Sequence, residues 1–129
     1  MKILILGNSR IFQKKIFDSL KKFKEVSIEV ASRRNTNFDK KIKTYKSYKL
    51  SIENTEAKIV YISLVNSEHF KWALYALKKN KHVIIDKPFA LNFKDTKILI
   101  KLATKKKLFL SEAVVFHKHL RFKKLFSSI

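Results

Sequence analysis

The stretch AKIVYISLVNSEHFKWALYALKKNKHVIIDKP, residues 57–88, decides the fold. It opens on an almost wholly apolar run, 59–65, the composition of a parallel strand covered on both faces. His82-Val83-Ile84-Ile85 reads the same way. Between the two, Phe70, Ala73, Leu74 and Leu77 recur at helical spacing, while Lys71, Lys78 and Lys79 point elsewhere. Strand, crossover helix and strand make a βαβ unit. Ligands of such sheets gather outside the carboxyl ends of the strands. Asn66, Ser67 and His69 follow the first strand, and Asp86 and Lys87 follow the second, so polar groups converge on that edge.

Working outward, strand and helix alternate along the chain. Ile3-Leu4-Ile5-Leu6 reads as a first strand, Gly7-Asn8-Ser9 as a turn, and the next segment as a helix turning Ile11, Ile16, Phe17, Leu20 and Phe23 inward. Residues 26–31 give a second strand with Glu29 as its only charge. Residues 35–42 are read as a short helix, Thr44-Tyr45 as a short strand, and 51–56 as a helix with Ser51 as N-cap. Asn92 caps a helix to about residue 106 that buries Ile98, Leu99 and Leu102, and Leu108-Phe109-Leu110 is a further strand. Alternation of this kind predicts an α/β fold with a doubly wound, mainly parallel sheet of about six strands flanked by helices. Residues 121–126 look like the opening of another helix. The expectation is one domain over 1–129, with a core over about 1–111 and 112–129 beginning the connection to an absent C-terminal domain.

The apolar content (46% of residues, 12% aromatic) is enough for a packed core, which argues against disorder. Cysteine is absent, which excludes disulfides, thiolate zinc sites and cysteine nucleophiles. The apolar run before Gly7 is too brief for a signal-peptide core or a membrane span, and the chain reads as cytoplasmic with no membrane role. A net charge of +20 invites a nucleic-acid reading. Only Arg10, Arg33, Arg34 and Arg121 are arginines, however, and the lysines are scattered over every polar face. A binding footprint is a patch or stripe rich in Arg, so a nucleic-acid partner is the least favoured reading.

Three strand ends carry candidate chemistry. Gly7-Asn8-Ser9-Arg10-Ile11-Phe12 stands where a dinucleotide phosphate turn stands, directly after a strand and opening a helix. Against G-x-G-x-x-G, Gly7 matches, Ser9 replaces the second glycine and Phe12 the third. Phe12 would push the helix off the sheet or fill space left by smaller neighbours; an ordinary βα turn remains the bland reading. The second strand ends Ala31-Ser32-Arg33-Arg34, with no Asp or Glu for ribose hydroxyls. A small polar residue followed by Arg suits the extra phosphate of NADP, with Arg33 or Arg34 as the cation and Ser32 as a hydrogen-bond donor. In Asp86-Lys87-Pro88, proline biases Lys87 towards extended geometry, where a lysine can hold a substrate hydroxyl and pass a proton. Taken alone, Lys87 is an ordinary surface lysine, and His69 is more simply a cap on local backbone than a ligand. His117-Lys118-His119 lacks a carboxylate or third ligand nearby, so no metal site is expected. Glu112 is a further candidate for the ligand edge.

Together these motifs resemble the N-terminal, nucleotide-binding half of the glucose–fructose oxidoreductase/inositol dehydrogenase/MocA (Gfo/Idh/MocA) family. The family pattern T-P-N-x-x-H, a helix ending A-L-x-x-G-K-H-V, and an E-K-P triplet have counterparts here at the same spacing. They are Leu64-Val65-Asn66-Ser67-Glu68-His69, Ala76-Leu77-Lys78-Lys79-Asn80-Lys81-His82-Val83 and Asp86-Lys87-Pro88. The resemblance implies a Rossmann-type domain that binds NADP, with NAD as the other choice, and a sugar, cyclitol or nucleotide-sugar as substrate. It implies a catalytic role for Lys87. Around the cofactor it implies Gly7, Asn8, Ser9, Arg10, Ile11, Ser32, Arg33, Arg34, Leu64, Asn66, His69, Asp86 and Lys87, with Glu112 and His117 towards the nicotinamide. The chain departs from the pattern at Ser9 and Phe12, at Asp86 for Glu, and at Val65 and Leu120 for Pro. Family members continue into a second α/β domain that completes the substrate pocket and mediates oligomerisation. The enzyme reading therefore calls for a second domain, a protein partner or a homo-oligomer. The alternative is a non-catalytic binding or regulatory module, or a truncated remnant.

Overall fold

A computed structural model describes residues 1–34 and 38–114. Six strands form one wholly parallel sheet: β1 (Lys2–Leu6), β2 (Ser27–Ala31), β3 (Lys43–Tyr45), β4 (Ile59–Ile62), β5 (His82–Ile85) and β6 (Leu110–Glu112). Their order is β3-β2-β1-β4-β5-β6. The chain thus starts in the middle, builds outward to β3, and returns to β4 beside β1 to build the other half. The β1/β4 seam is the point where the winding reverses and where a crevice opens at the strands' carboxyl ends.

Alternation along each strand supplies two cores. Leu4, Leu6, Ala31, Val60, Ile62, Val83 and Ile85 face one layer of helices: α2 (Tyr48–Asn54), α3 (Asn66–Lys78) and α4 (Phe93–Lys106). Ile3, Ile5, Val30 and Tyr61 face the other way, towards the helix after β1. That helix, α1, is π-helical over Phe12–Phe17 and α-helical over Asp18–Lys21. The wider π turn superposes residues five apart. It stacks wholly buried Phe12 edge-on to Phe17 (5.6 Å) and to Phe38 (6.4 Å). Phe12 therefore fills space in the second core in place of the expected small residue.

Several expectations need correction. Ile11 and Phe23 are exposed: π winding carries Phe12 into the core in place of Ile11, and Phe23 lies beyond the end of α1. Residues 38–42 form turns, with no helix, and 35–37 lie outside the described residues. The helix expected at 51–56 begins at Tyr48: Ser47 is its N-cap, accepting from Leu50 N at 3.3 Å, while Ser51 is buried and donates to Tyr48 O. Ile98 is exposed, and Leu99 and Ala103 are the buried residues of α4. The last strand is Leu110–Glu112, since the main chain at Leu110, Ser111 and Glu112 pairs with Val83, Ile84 and Ile85. The Asn92 cap holds, accepting from Asp95 N at 2.9 Å. Asn80 stands in the left-handed region (φ 59°), where asparagine is the side chain most at ease after glycine.

Main-chain bonding continues one residue beyond β1, β2, β4, β5 and β6. Gly7 N donates to Ala31 O, Ser63 N to Leu6 O, Ser32 N to Tyr45 O, Asp86 N to Ile62 O and Ala113 N to Ile85 O. The sheet therefore delivers Gly7, Ser32, Ser63, Asp86 and Ala113 to one edge in register.

Candidate functional site

At the β1 end, Gly7 adopts φ +99°, a region that favours glycine. A Cβ here would lie 2.2 Å from Ser63 O, so the turn passes over the end of β4 with no room for a side chain. Ser9 Oγ accepts from Phe12 N (3.0 Å) and lies 2.6 Å from Ser63 Oγ; Asn8 Oδ1 accepts from Gln13 Nε2 at 2.9 Å. Both side chains turn back on the protein, leaving the main chain of the turn along the cleft.

At the β2 end, Ser32 is buried and its Oγ accepts from Arg34 N at 3.2 Å. The Arg33 guanidinium lies over the Tyr48 ring, 4.9 Å from its centroid, and 3.9 Å from Glu68 Oε2. The same Glu68 oxygen accepts from Trp72 Nε1 at 2.7 Å. Together Gly7, Asn8, Ser9, Ser32, Arg33 and Arg34 line one side of a cleft of about 370 Å³, and Tyr48, Ser63, Leu64, Val65 and Glu68 complete it.

At the β5 end, Asp86 is held by two hydroxyls: Tyr61 OH donates to one carboxylate oxygen and Ser63 Oγ to the other at 2.6 Å. Burial, reinforced by the bond to Asp86, pushes the Tyr61 phenol well above its ordinary pKa. A string of polar groups thus runs Tyr61–Asp86–Ser63–Ser9, from the second sheet face to the glycine turn. Lys87 follows, exposed, joined to Pro88 by a cis peptide bond. Its ammonium has no hydrogen bond or ion pair among the described residues. The loop after it is fastened twice. His69 Nδ1 meets Pro88 O at 2.7 Å with Nε2 at 3.0 Å from Leu64 O, and Glu112 Oε1 accepts from Phe89 N at 2.7 Å.

The structure therefore brings Gly7, Asn8, Ser9, Ser32, Arg33, Arg34 and Leu64 to one cleft. Asp86, Lys87, Glu112 and Ile11 line a second, apolar hollow of about 630 Å³ on the sheet face that carries Ile3, Ile5 and Tyr61. Arg10 and Asn66 are exposed and line neither. His69 is wholly buried with both ring nitrogens against main-chain carbonyls, so it braces the Lys87 loop and offers no group to the cleft. His117 lies outside the described residues. Sequence reasoning passed over Tyr61, Ser63, Tyr48 and Glu68. Tyr61 and Ser63 had a signal, as polar residues two apart at the end of an apolar strand share a face.

The donors fit a dinucleotide. A glycine that no other residue can replace marks close approach of backbone to ligand, and the β2 end presents a hydroxyl and two guanidiniums where an NAD site would present a carboxylate.

Comparison with known proteins agrees with this geometry. The profile of the oxidoreductase family with an NAD-binding Rossmann fold (GFO_IDH_MocA) matches residues 1–114. A D-xylose 1-dehydrogenase (NADP(+)) of Hypocrea jecorina is 38% identical over 72 residues, 56% of this chain and 18% of that protein. A dTDP-3,4-didehydro-2,6-dideoxy-alpha-D-glucose 3-reductase of Saccharopolyspora spinosa is 35% identical over 72 residues, 56% of this chain and 22% of that one. The crystal structure of a 3-ketoreductase from Actinomadura kijaniata with NADP and TDP-benzene superposes with a TM-score of 0.87 at 21% identity, covering 99% of this chain and 42% of the other. That last likeness shows the fold. The chain spans only about a fifth of the length of the two curated relatives.

Proposed function

This chain belongs to the Gfo/Idh/MocA oxidoreductase family, matching its NAD-binding Rossmann part, and from that membership we propose that its strand-end cleft binds NADP. The observation that carries the reading is the convergence of the Gly7 turn, the Ser32-Arg33-Arg34 segment and the β4 end on one cleft, with Lys87 just past the end of the neighbouring β5. The pyrophosphate lies along the Gly7–Ser9 main chain at the start of α1. Ser32, Arg33 and Arg34 receive the adenosine end and its 2′-phosphate, for which NAD has no counterpart. Leu64 and Val65 form the apolar wall of the cleft.

When bound, the nicotinamide supplies or accepts a hydride. The chain's own part falls to the β5 end. The exposed Lys87 side chain is free to reach a substrate oxygen, its ammonium donating a proton as a carbonyl is reduced, or its neutral amine taking one as a hydroxyl is oxidised. Asp86, His69 and Glu112 hold the loop that aims it. The substrate class is a sugar or nucleotide-sugar, as in the enzymes named above. Its remaining contacts come from a second domain, a protein partner or a second copy of the chain, and the site of action is the cytoplasm. No described helix is long and apolar enough to cross a membrane.

Calorimetric titration of the chain with NADP and NAD tests the proposal. Saturable one-to-one binding with NADP the tighter ligand is the expected result. Absence of binding to both would overturn it in favour of a non-catalytic module, the reading to which Ser9 and Phe12 in glycine positions point.

A further inference from the structure

We infer that the apolar hollow beside Lys87 is the seat of residues 115–129 of this same chain, which complete the second layer of the sheet.

The two faces of the sheet are not covered equally. On β4 and β5, Val60, Ile62, Val83 and Ile85 are wholly buried in the core shared with α2, α3 and α4. On the opposite face of the same strands, Ile59 and Ile84 keep part of their surface open. Among the described residues α1 is the one helix on that side, and it packs with Ile3, Ile5 and Val30 of β1 and β2. A parallel sheet is normally packed on both faces. The shortfall is the hollow of about 630 Å³, lined by Ile5, Tyr61 and Ile84 of the strands and by Ile11, Ile16 and Phe109 beside them. Ile11 is 59% exposed and Phe109 58%, so two large apolar side chains stand open at this one place. An open apolar patch of this kind marks a surface that something covers.

The occupant follows from where the chain goes next. Glu112, Ala113 and Val114 all line the hollow, so residue 115 starts at its rim. In the sequence beyond, Phe122, Leu125, Phe126 and Ile129 recur at i, i+3, i+4 and i+7, with Arg121, Lys123, Lys124, Ser127 and Ser128 between them. That is the pattern of a helix with one apolar stripe, which is stable only when the stripe is buried. Residues 115–129 in helical winding would span about 22 Å. The hollow reaches from β1 across β4 and β5 to β6, about 14 Å of sheet. A segment tethered at the rim also docks without the loss of translational freedom that a separate molecule incurs, which favours it over a second copy. The hollow is then a seat within the fold and no substrate pocket. This inference does not depend on the cofactor reading.

The test uses the whole chain without any dinucleotide. Because the sequence has no cysteine, Ser128→Cys accepts a single nitroxide spin label. In the isotopically labelled protein, the amides of Ile5, Ile84 and Ser111 should be broadened, and those of Trp72 and Ala76, across the sheet in α3, far less. Adding Phe126→Ser should abolish that broadening, whereas adding Lys124→Ser should leave it. Without the label, Phe126→Ser should lower the melting temperature by about 4 °C or more and raise the fluorescence of anilinonaphthalene sulfonate, and Lys124→Ser should do neither. Absence of broadening at the hollow would overturn the inference, as would equal responses to the two serine variants. Broadening seen only when spin-labelled chains are mixed with separate isotope-labelled ones would also overturn it, and would make the occupant a second copy.

Discussion

Ser9 Oγ lies 2.6 Å from Ser63 Oγ, and this contact ties a departure from the glycine-rich turn to the end of β4. The second glycine position is occupied by a hydroxyl that points inward, where a serine at the end of β4 receives it and passes the chain of hydrogen bonds to Asp86. The turn keeps its path because the neighbouring strand supplies a partner for the added side chain.

A double-mutant cycle should therefore show coupling. Ser63→Ala leaves Ser9 Oγ and one oxygen of Asp86 short of a partner and is expected to cost about 1–3 kcal/mol of stability. Ser9→Gly on that background removes one of the orphaned groups, so the double variant should lose less than the sum of the singles. Urea denaturation of the four proteins measures this.

Gly7→Ala should abolish cofactor binding and lower the melting temperature. The new Cβ would meet Ser63 O at 2.2 Å, a main-chain atom that cannot yield without opening the β1/β4 seam. Thermal melts with and without NADP read both effects.

Phe12→Ala should be among the most destabilising changes in the chain, by about 3–5 kcal/mol, because a wholly buried ring and its contacts with Phe17 and Phe38 are lost. Denaturant titration is the measurement. Circular dichroism of the surviving folded fraction should retain the helical signal.

Tyr61 should resist ionisation longer than an exposed phenol. Its folded-state pKa lies above the ordinary value of 10.0, so the folded state favours the protonated form. The resulting stability is fully present below about pH 10 and is lost as pH rises above it, when the unfolded chain's Tyr61 ionises first. Alkaline titration of phenolate absorbance should show Tyr61 appearing only with unfolding. Tyr61→Phe should flatten the alkaline loss of stability.

Much of this arrangement was legible in the sequence because it depends on local pattern. The apolar runs at β1, β4 and β5 are buried on both faces, and their alternation with helices dictates a parallel sheet whose carboxyl ends share an edge. Asp86-Lys87-Pro88 and Gly7-Asn8-Ser9 stand at strand ends by position alone. What escaped was set by contacts between distant segments. Leu108-Phe109-Leu110 reads as a strand, yet Phe109 is exposed and pairing with β5 begins at Leu110. Ile11 resembles an inward residue until π winding buries Phe12 in its place. Ser47 outcompetes Ser51 as a cap because Tyr48 and Ile52 must share the face that packs on the sheet. The two-residue spacing of Tyr61 and Ser63 puts them on one face, but that they meet Asp86, and that Glu68 meets Arg33, is set across strands and helices. His69 drew notice for its type and position; only its burial between Pro88 O and Leu64 O shows that it braces the loop.

The central claim is that one strand-end edge receives NADP. The most direct measurement is backbone amide chemical-shift mapping of the isotopically labelled chain during titration with NADP. The account predicts saturable shifts concentrated on Gly7–Ser9, Ser32–Arg34, Leu64–Val65 and Lys87, with the far ends of the strands unmoved. No shifts, or shifts spread over the lysine-rich surface and abolished by salt, would contradict it.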